Sequence, residues 1–201
     1  MNKVKSGRDC LCMARDILRD GGVIVYPTDT LYGIGASISH PEALERVFRM
    51  KEMQQAPVSI ILSDRSRIKE YAEISKVTRD FLEVYPAGPF TLLLKVKEHV
   101  RKQFPDSIIK NGMIGVRIPL EDFPRKLVEM VGPITSTSAN IHGKKAPVRF
   151  EDVSITGADL YVDGGTCLYG KPSTILQEEG NKLSIVREGA IDRCLIEHYL
   201  G

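Results

Sequence analysis

No tryptophan occurs among the 201 residues of this chain, aromatic residues make up only 6%, and there are just four cysteines. No apolar run approaches the roughly 20 residues that a bilayer-crossing helix needs, so no membrane association is expected. Met1-Asn2-Lys3-Val4-Lys5 leads into no apolar h-region, so a secretory signal is not expected and the cytoplasm is the expected compartment. Cys10 and Cys12 stand two apart on a predicted helix and point in roughly opposed directions, while Cys167 and Cys194 are isolated. All four read as free thiols. His40, His99, His142 and His198 are scattered, and neither metal-ligand spacing, a G-x-S-x-G elbow nor a helical H-E-x-x-H occurs. No protein-bound metal is expected. Neither sign of charge dominates: 28 Lys and Arg against 26 Asp and Glu leave a net +2, which does not advertise a nucleic-acid binder. The basic cluster Lys144-Lys145 with Arg149 is of the kind that is usually solvated surface.

What is present is an interleaving of helix and strand at a length that suits one domain, residues 1–201. Helical periodicity runs from Cys10 to Arg19 and stops at Gly21-Gly22. Ser39 and Glu42 have the spacing of a capping box that opens a helix with Leu44, Val47 and Phe48 inward, and Lys51 falls at its end. Further helices are predicted near 65–71, 77–85, 123–131 and 191–200. Strands are predicted over 23–26, 58–62, 91–96, 114–118, 134–137, 160–162, 174–176 and 183–186. Without strict βαβ alternation, this pattern implies an α/β (α+β) domain with a twisted mixed sheet and helices packed on it. Gly165-Thr166-Cys167-Leu168-Tyr169-Gly170-Lys171 imitates a P-loop. Pro172 follows the lysine, however, and Ser173-Thr174-Ile175-Leu176 reads as strand where a P-loop opens a helix, so that reading fails.

Two loops carry the chemistry. Tyr26-Pro27-Thr28-Asp29-Thr30-Leu31-Tyr32-Gly33-Ile34-Gly35 follows the apolar run Val23-Ile24-Val25, and Ser136-Thr137-Ser138-Ala139-Asn140 follows Gly132-Pro133-Ile134. Hydroxyl-rich loops at strand ends are where open α/β sheets place ligand crevices. Together these loops resemble the PTDTxYGLG and SxN elements of the YrdC-type family, the threonylcarbamoyl-AMP synthases. Gly88-Pro89-Phe90-Thr91, Gly115-Val116-Arg117-Ile118-Pro119, Pro172-Ser173-Thr174-Ile175 and Arg187-Glu188-Gly189 resemble further family motifs in the family's order.

The resemblance implies a YrdC-like fold with an open concave cleft. It also implies a nucleotidyltransferase that makes threonylcarbamoyl-AMP and pyrophosphate from ATP, L-threonine and bicarbonate. Mg²⁺ would arrive with the nucleotide, and a separate transferase complex would pass the product to tRNA. Such a reaction gathers negative charge, so cations and hydroxyl donors are its tools. By motif, Thr30, Arg117, Ser136, Ser138 and Ser173 would bind substrate, with the Arg117 fork suited to a carboxylate. Lys51, Ser138 and Arg187 would meet the nucleotide, and Lys51, Ser138 and Asn140 would serve catalysis, Asn140 by orienting its loop or a bound oxyanion.

The chain departs from the family at Lys51-Glu52-Met53-Gln54-Gln55-Ala56-Pro57-Val58, where the expected Lys-x-Arg-Pro has no arginine and one residue fewer. Loss of one charge-assisted hydrogen bond is worth about one to two orders of magnitude in affinity or rate. Arg49, one turn earlier, is the candidate substitute, and Met113 stands where members often carry a hydroxyl. Two alternatives follow. One is a YciO-like paralogue with altered or lost adenylation. The other is a double-stranded RNA or tRNA-binding module that reads A-form shape and phosphates.

Overall fold

In the computed structural model, which describes residues 3–53, 58–102, 104 and 107–200, the apolar runs become strands of one sheet. Eleven strands are present among the described residues: β1 Lys3–Lys5, β2 Val23–Tyr26, β3 Gly33–Ala36, β4 Ser59–Ile61, β5 Phe90–Lys95, β6 Ile109–Lys110, β7 Met113–Arg117, β8 Ile134–Ser138, β9 Leu160–Asp163, β10 Thr174–Glu179 and β11 Lys182–Arg187. They are ordered β1-β9-β2-β3-β8-β4-β7-β5-β10-β11, with β6 paired to β7. The pairs β1/β9, β9/β2, β4/β7 and β5/β10 are parallel and the rest antiparallel. This is the mixed sheet that the pattern implied. The helices are α1 Arg8–Arg19, α2 Pro41–Met50, α3 Ile68–Tyr71, α4 Lys76–Val84, α5 Glu98–Arg101, α6 Asp122–Val131 and α7 Arg193–Ile196.

Alternation along the strands decides which parts of the sheet are covered. In β2, Ile24 and Tyr26 pack with Ala14 and Leu18 of α1 and Leu127 of α6, while Val23 and Val25 pack with Ala43 and Val47 of α2. Successive side chains leave a strand on opposite faces, so β2 is sealed on both sides and reads as a continuous apolar run. In β7, β5 and β10, and at Ser59 of β4, only one face is sealed, whereas Ile61 further along β4 is buried with Leu127 of α6. Ile60, Val116, Leu92 and Leu176 enter the largest core cluster with Phe81 of α4, whereas Ser59, Gly115, Thr91 and Ile175 face a cavity. That uncovered face forms the floor of the cleft. Phe81, fully buried, meets Phe90 and Tyr199 edge-on at 4.9 and 5.3 Å, and its truncation to alanine would cost about 3–5 kcal/mol.

Several elements differ from the expectation. Ser39 does not cap α2. Its N-cap is His40 in a non-helical conformation, with Pro41 at the first helical position. Proline there supplies a preset φ and pushes the preceding residue out of the helical region, which moves the boundary one residue on. His40 instead bonds Glu42 at 3.0 Å and the carbonyl of Arg19 at 3.0 Å. The glycine-ended stretch expected as loop contains β3, and a Cβ on Gly35 would lie 2.0 Å from the Thr135 carbonyl oxygen. Only glycine lets β3 approach β8 so closely. Strand β6 was not expected, although Asn111-Gly112, with φ of 54° and 73°, forms the tight turn that joins it to β7. Strand β1 and helix α5 were also missed. The expected terminal helix breaks into α7 and a 3-10 turn at Glu197–Tyr199. Ile196 and Tyr199 enter the core there, and Leu200 bridges to Leu183.

Candidate active site

The β2–β3 connection is a polar loop held by its own hydroxyls. Thr28 Oγ1 donates to the Leu31 carbonyl at 2.7 Å and accepts from the backbone N–H groups of Thr30 and Leu31 at 3.2 and 3.3 Å. This local side-chain turn fixes the loop without secondary structure. Arg117, at the end of β7, reaches it. Its Nη2 donates to Asp29 Oδ1 at 2.5 Å, Thr30 Oγ1 at 2.5 Å and Thr28 Oγ1 at 3.2 Å. Both charged side chains are almost fully buried, and Asp29 Oδ2 and Arg117 Nε have no hydrogen-bond partner among the described residues.

Across the cleft, Arg187 ends β11 and folds back on Ser173. Its Nη2 donates to the Ser173 carbonyl at 2.7 Å and to Ser173 Oγ at 3.2 Å, and its Nε donates to the same carbonyl at 3.3 Å. Ser173 Oγ and Thr91 Oγ1 share a hydrogen bond of 2.9 Å. A Cβ on Gly189 would fall 2.4 Å from the Pro172 carbonyl oxygen, so the glycine permits this approach. Arg187 forms no ion pair among the described residues. Burial, and then the nearby charge of Arg117, lower its pKa below the ordinary arginine value. The Arg117 charge is therefore close enough to disfavour the charge on Arg187, an arrangement that an anion would relieve.

The third wall is the end of β8. Ser136 and Ser138 line the cavity, and Asn140 braces the loop beyond them through Nδ2 bonds to the carbonyls of Ile141 at 2.9 Å and Lys144 at 2.7 Å. Lys51, at the end of α2, is buried behind this wall and does not line the cavity. Its Nζ donates to the carbonyls of Ser138 and, at 2.8 Å, Asn140, while its own carbonyl accepts from His142 N–H at 2.8 Å. Burial lowers its pKa to about 8. The lysine is held by loop carbonyls and not by a carboxylate. Tyr26 lies beneath the cleft, with its phenol pushed up to about 12 by burial, an effect offset in part by Ser136 and by the charge of Arg117.

Thr30, Arg117, Ser136, Ser138, Asn140, Ser173 and Arg187 thus converge on one cavity of about 500 Å³, and Lys51 underlies it. Three expectations need correction. Arg49 does not replace the missing arginine: its side chain is 70% exposed and lies 4.0 Å from Glu45. Met53 packs against the core, and Gln54–Pro57 lie outside the described residues. The Arg117 fork is not open either, because Nη2 belongs to both the end-on and the side-on pair of donors and is already engaged. Residues that sequence reasoning left without a role are Asp29, Ser59, Thr91 and Lys144. Lys144 was read as solvated surface and instead lines the cavity, whereas Arg149 of the same cluster pairs with Asp152 at 3.2 Å. A second cavity of about 470 Å³, with Leu93, Ile108 and Met113 in its lining, shares Ser59, Thr91 and Ile175 with the first.

Comparison with known proteins places this geometry. The Sua5/YciO/YrdC family model, described as telomere recombination, matches residues 16–189. A protein named putative threonylcarbamoyl-AMP synthase from Methanocaldococcus jannaschii is 35% identical over 183 residues, covering 89% of this chain and 84% of that one. The uncharacterized protein YciO of Escherichia coli K12 is 30% identical over 185 residues, covering 89% and 88%. The crystal structure of E. coli YciO matches with a TM-score of 0.83 at 27% identity, over 99% of this chain and 97% of that one. The crystal structure of P. abyssi Sua5 complexed with L-threonine matches with a TM-score of 0.89 at 26% identity. All of this chain is covered, but it spans only 60% of that Sua5 chain.

Proposed function

The chain belongs to the Sua5/YciO/YrdC family, and from that premise we propose that it is a threonylcarbamoyl-AMP synthase acting on L-threonine, bicarbonate and ATP. The observation that carries this reading is the convergence of two guanidinium groups and several oriented hydroxyls on one cavity. The fold likeness to Sua5 complexed with L-threonine supports it. In this reading Thr30, Arg117 and Ser173 hold the amino acid, and Ser136 and Ser138 sit at its junction with the nucleotide. Arg187 faces the phosphates. The threonine amine and bicarbonate combine to a carbamate with loss of water, and a carbamate oxygen attacks the α-phosphate of ATP: an O–P bond forms, the bond to the oxygen bridging to the β-phosphate breaks, and pyrophosphate leaves. Mg²⁺ enters as part of the nucleotide substrate. Asn140 and Lys51 keep the β8 loop in place, and positioning with electrostatics supplies the catalysis. The second cavity extends the cleft past Ser59, Thr91 and Ile175. The product is destined for a tRNA threonylcarbamoyl-transferase complex. A cytoplasmic location fits this role, and no described helix is long and apolar enough to cross a membrane.

The test is pyrophosphate release from ATP with Mg²⁺ and bicarbonate, with and without L-threonine. Release that requires threonine and exceeds a serine control is expected. A specific observation favours a second reading, the YciO-like one: Met53 packs against the core where an arginine is missing, and Lys51 is turned into loop carbonyls. In that case threonine binds without pyrophosphate release. RNA binding would show instead as an affinity for duplex RNA that falls steeply with salt.

A further inference from the structure

The Asp29–Arg117 pair is unlike a finished structural ion pair. A buried carboxylate beside a buried guanidinium ordinarily forms two parallel hydrogen bonds. Here Asp29 engages only Nη2, which it shares with Thr30 and Thr28, and two buried polar atoms of the pair, Asp29 Oδ2 and Arg117 Nε, lack partners among the described residues. Nη1 makes no hydrogen bond to a described residue, on a side chain that lines the cavity. Asp29 itself is not part of the lining. Its main-chain carbonyl accepts from Tyr169 N–H at 2.9 Å, which anchors it beneath the loop.

We propose that Asp29 is a specificity-determining positioning residue. It occupies Nη2 of Arg117, so the substrate carboxylate meets a single-point donor at Nη1 and not a fork. Displacing Asp29 would leave a buried carboxylate without its counter-ion, which makes that exchange unfavourable. Two consequences follow. The Arg117 wall presents less net charge to a ligand than an unpaired guanidinium would, because its cation is partly compensated by Asp29. Arg187, with no ion pair among the described residues, is the guanidinium whose charge remains available to an arriving anion. The amino acid is thereby held loosely in its ground state. Binding energy not spent there remains for the charge that gathers during reaction.

This inference rests on the proposal that an amino-acid carboxylate occupies the cavity, and the test separates the two. L-threonine and L-threoninamide, which lacks the carboxylate, are titrated calorimetrically into the intact chain and into Asp29→Asn. The variant keeps the shape and removes the charge. It is expected to bind L-threonine roughly fivefold or more tightly, through the freed guanidinium. Threoninamide affinity should not rise by that factor. Unchanged or weaker threonine binding by a folded variant overturns the inference, as does equal tightening for both ligands, which would signal a general change in the site. Should Asp29→Asn fail to fold, a crystal structure of the unaltered chain with L-threonine decides. The inference expects Asp29 still on Nη2 and the carboxylate on Nη1, and is overturned by a carboxylate that takes Nη2 while Asp29 turns away. Absence of any threonine binding by the unaltered chain defeats the functional proposal and this inference together, whereas binding without the predicted shift defeats only the inference.

Discussion

The two arginine-bearing walls of the cleft are built in opposite ways. Arg117 is fixed by a buried carboxylate and two threonine hydroxyls on a loop 87 to 89 residues away. Arg187 is fixed by the carbonyl and hydroxyl of a single serine, Ser173, just ahead of the neighbouring strand β10. A carboxylate offsets part of the charge it positions, whereas a carbonyl orients a cation and leaves its charge to act. The same cleft therefore contains one cation that shapes and another that attracts.

Four substitutions would break or sharpen this contrast. The largest effect belongs to Arg117→Ala. It leaves Asp29 buried without a counter-ion, so stability falls by about 3–5 kcal/mol along with threonine-dependent turnover. Chemical denaturation reads the first and pyrophosphate release the second, and an unchanged midpoint would mean that Asp29 has another partner. Arg187→Met follows. It strands no carboxylate, so turnover should drop about 10- to 100-fold while the melting temperature barely moves. Equal losses of stability for the two variants would erase the contrast. Thr91→Val removes one neutral hydrogen bond to Ser173 and should weaken threonine binding roughly fivefold, with Thr91→Ser restoring it. No recovery in the serine variant would assign Thr91 to packing.

Lys51 provides the mildest test, because it is a second cation held by carbonyls. Its folded pKa of about 8 lies below the ordinary lysine value. The native state therefore binds fewer protons than the unfolded state between about pH 8 and about pH 10.4, and the burial penalty eases as pH rises through that window. The unfolding free energy of the native protein minus that of Lys51→Met should rise there. A flat difference would show that Lys51 is not desolvated.

Much of the fold was legible because burial on one or both faces leaves a period in the sequence. Val23–Tyr26 was delimited to the residue, and the strands ending at Arg117 and Ser138 were placed within a residue or two. What escaped were elements whose residues carry weak apolar signals. Glycine-rich β3 is such a case, since its smallness serves contact with β8 and not propensity. Strand β6 had a readable signal in Asn111-Gly112, the tight-turn pair, which was passed over. The capping box at Ser39 failed because proline chemistry at position 41 outranks a side-chain cap.

In the site, motif order grouped Thr30, Arg117, Ser136, Ser138, Asn140, Ser173 and Arg187, and all seven line one cavity; all but Ser136, in mid-β8, stand at a strand end or in a loop beside one. Residue types and their order along the chain determined that a cationic, hydroxyl-lined crevice would form on a mixed sheet. Only the tertiary structure decided how its charges are spent: that Asp29 takes Nη2 of Arg117, that Lys51 turns to carbonyls behind the wall, and that Arg187 makes no ion pair among the described residues. The reason is physical. Periodicity reports which face of an element is buried, but hydrogen bonds that side chains make to groups about ninety residues away depend on strand register and depth, which local sequence does not encode.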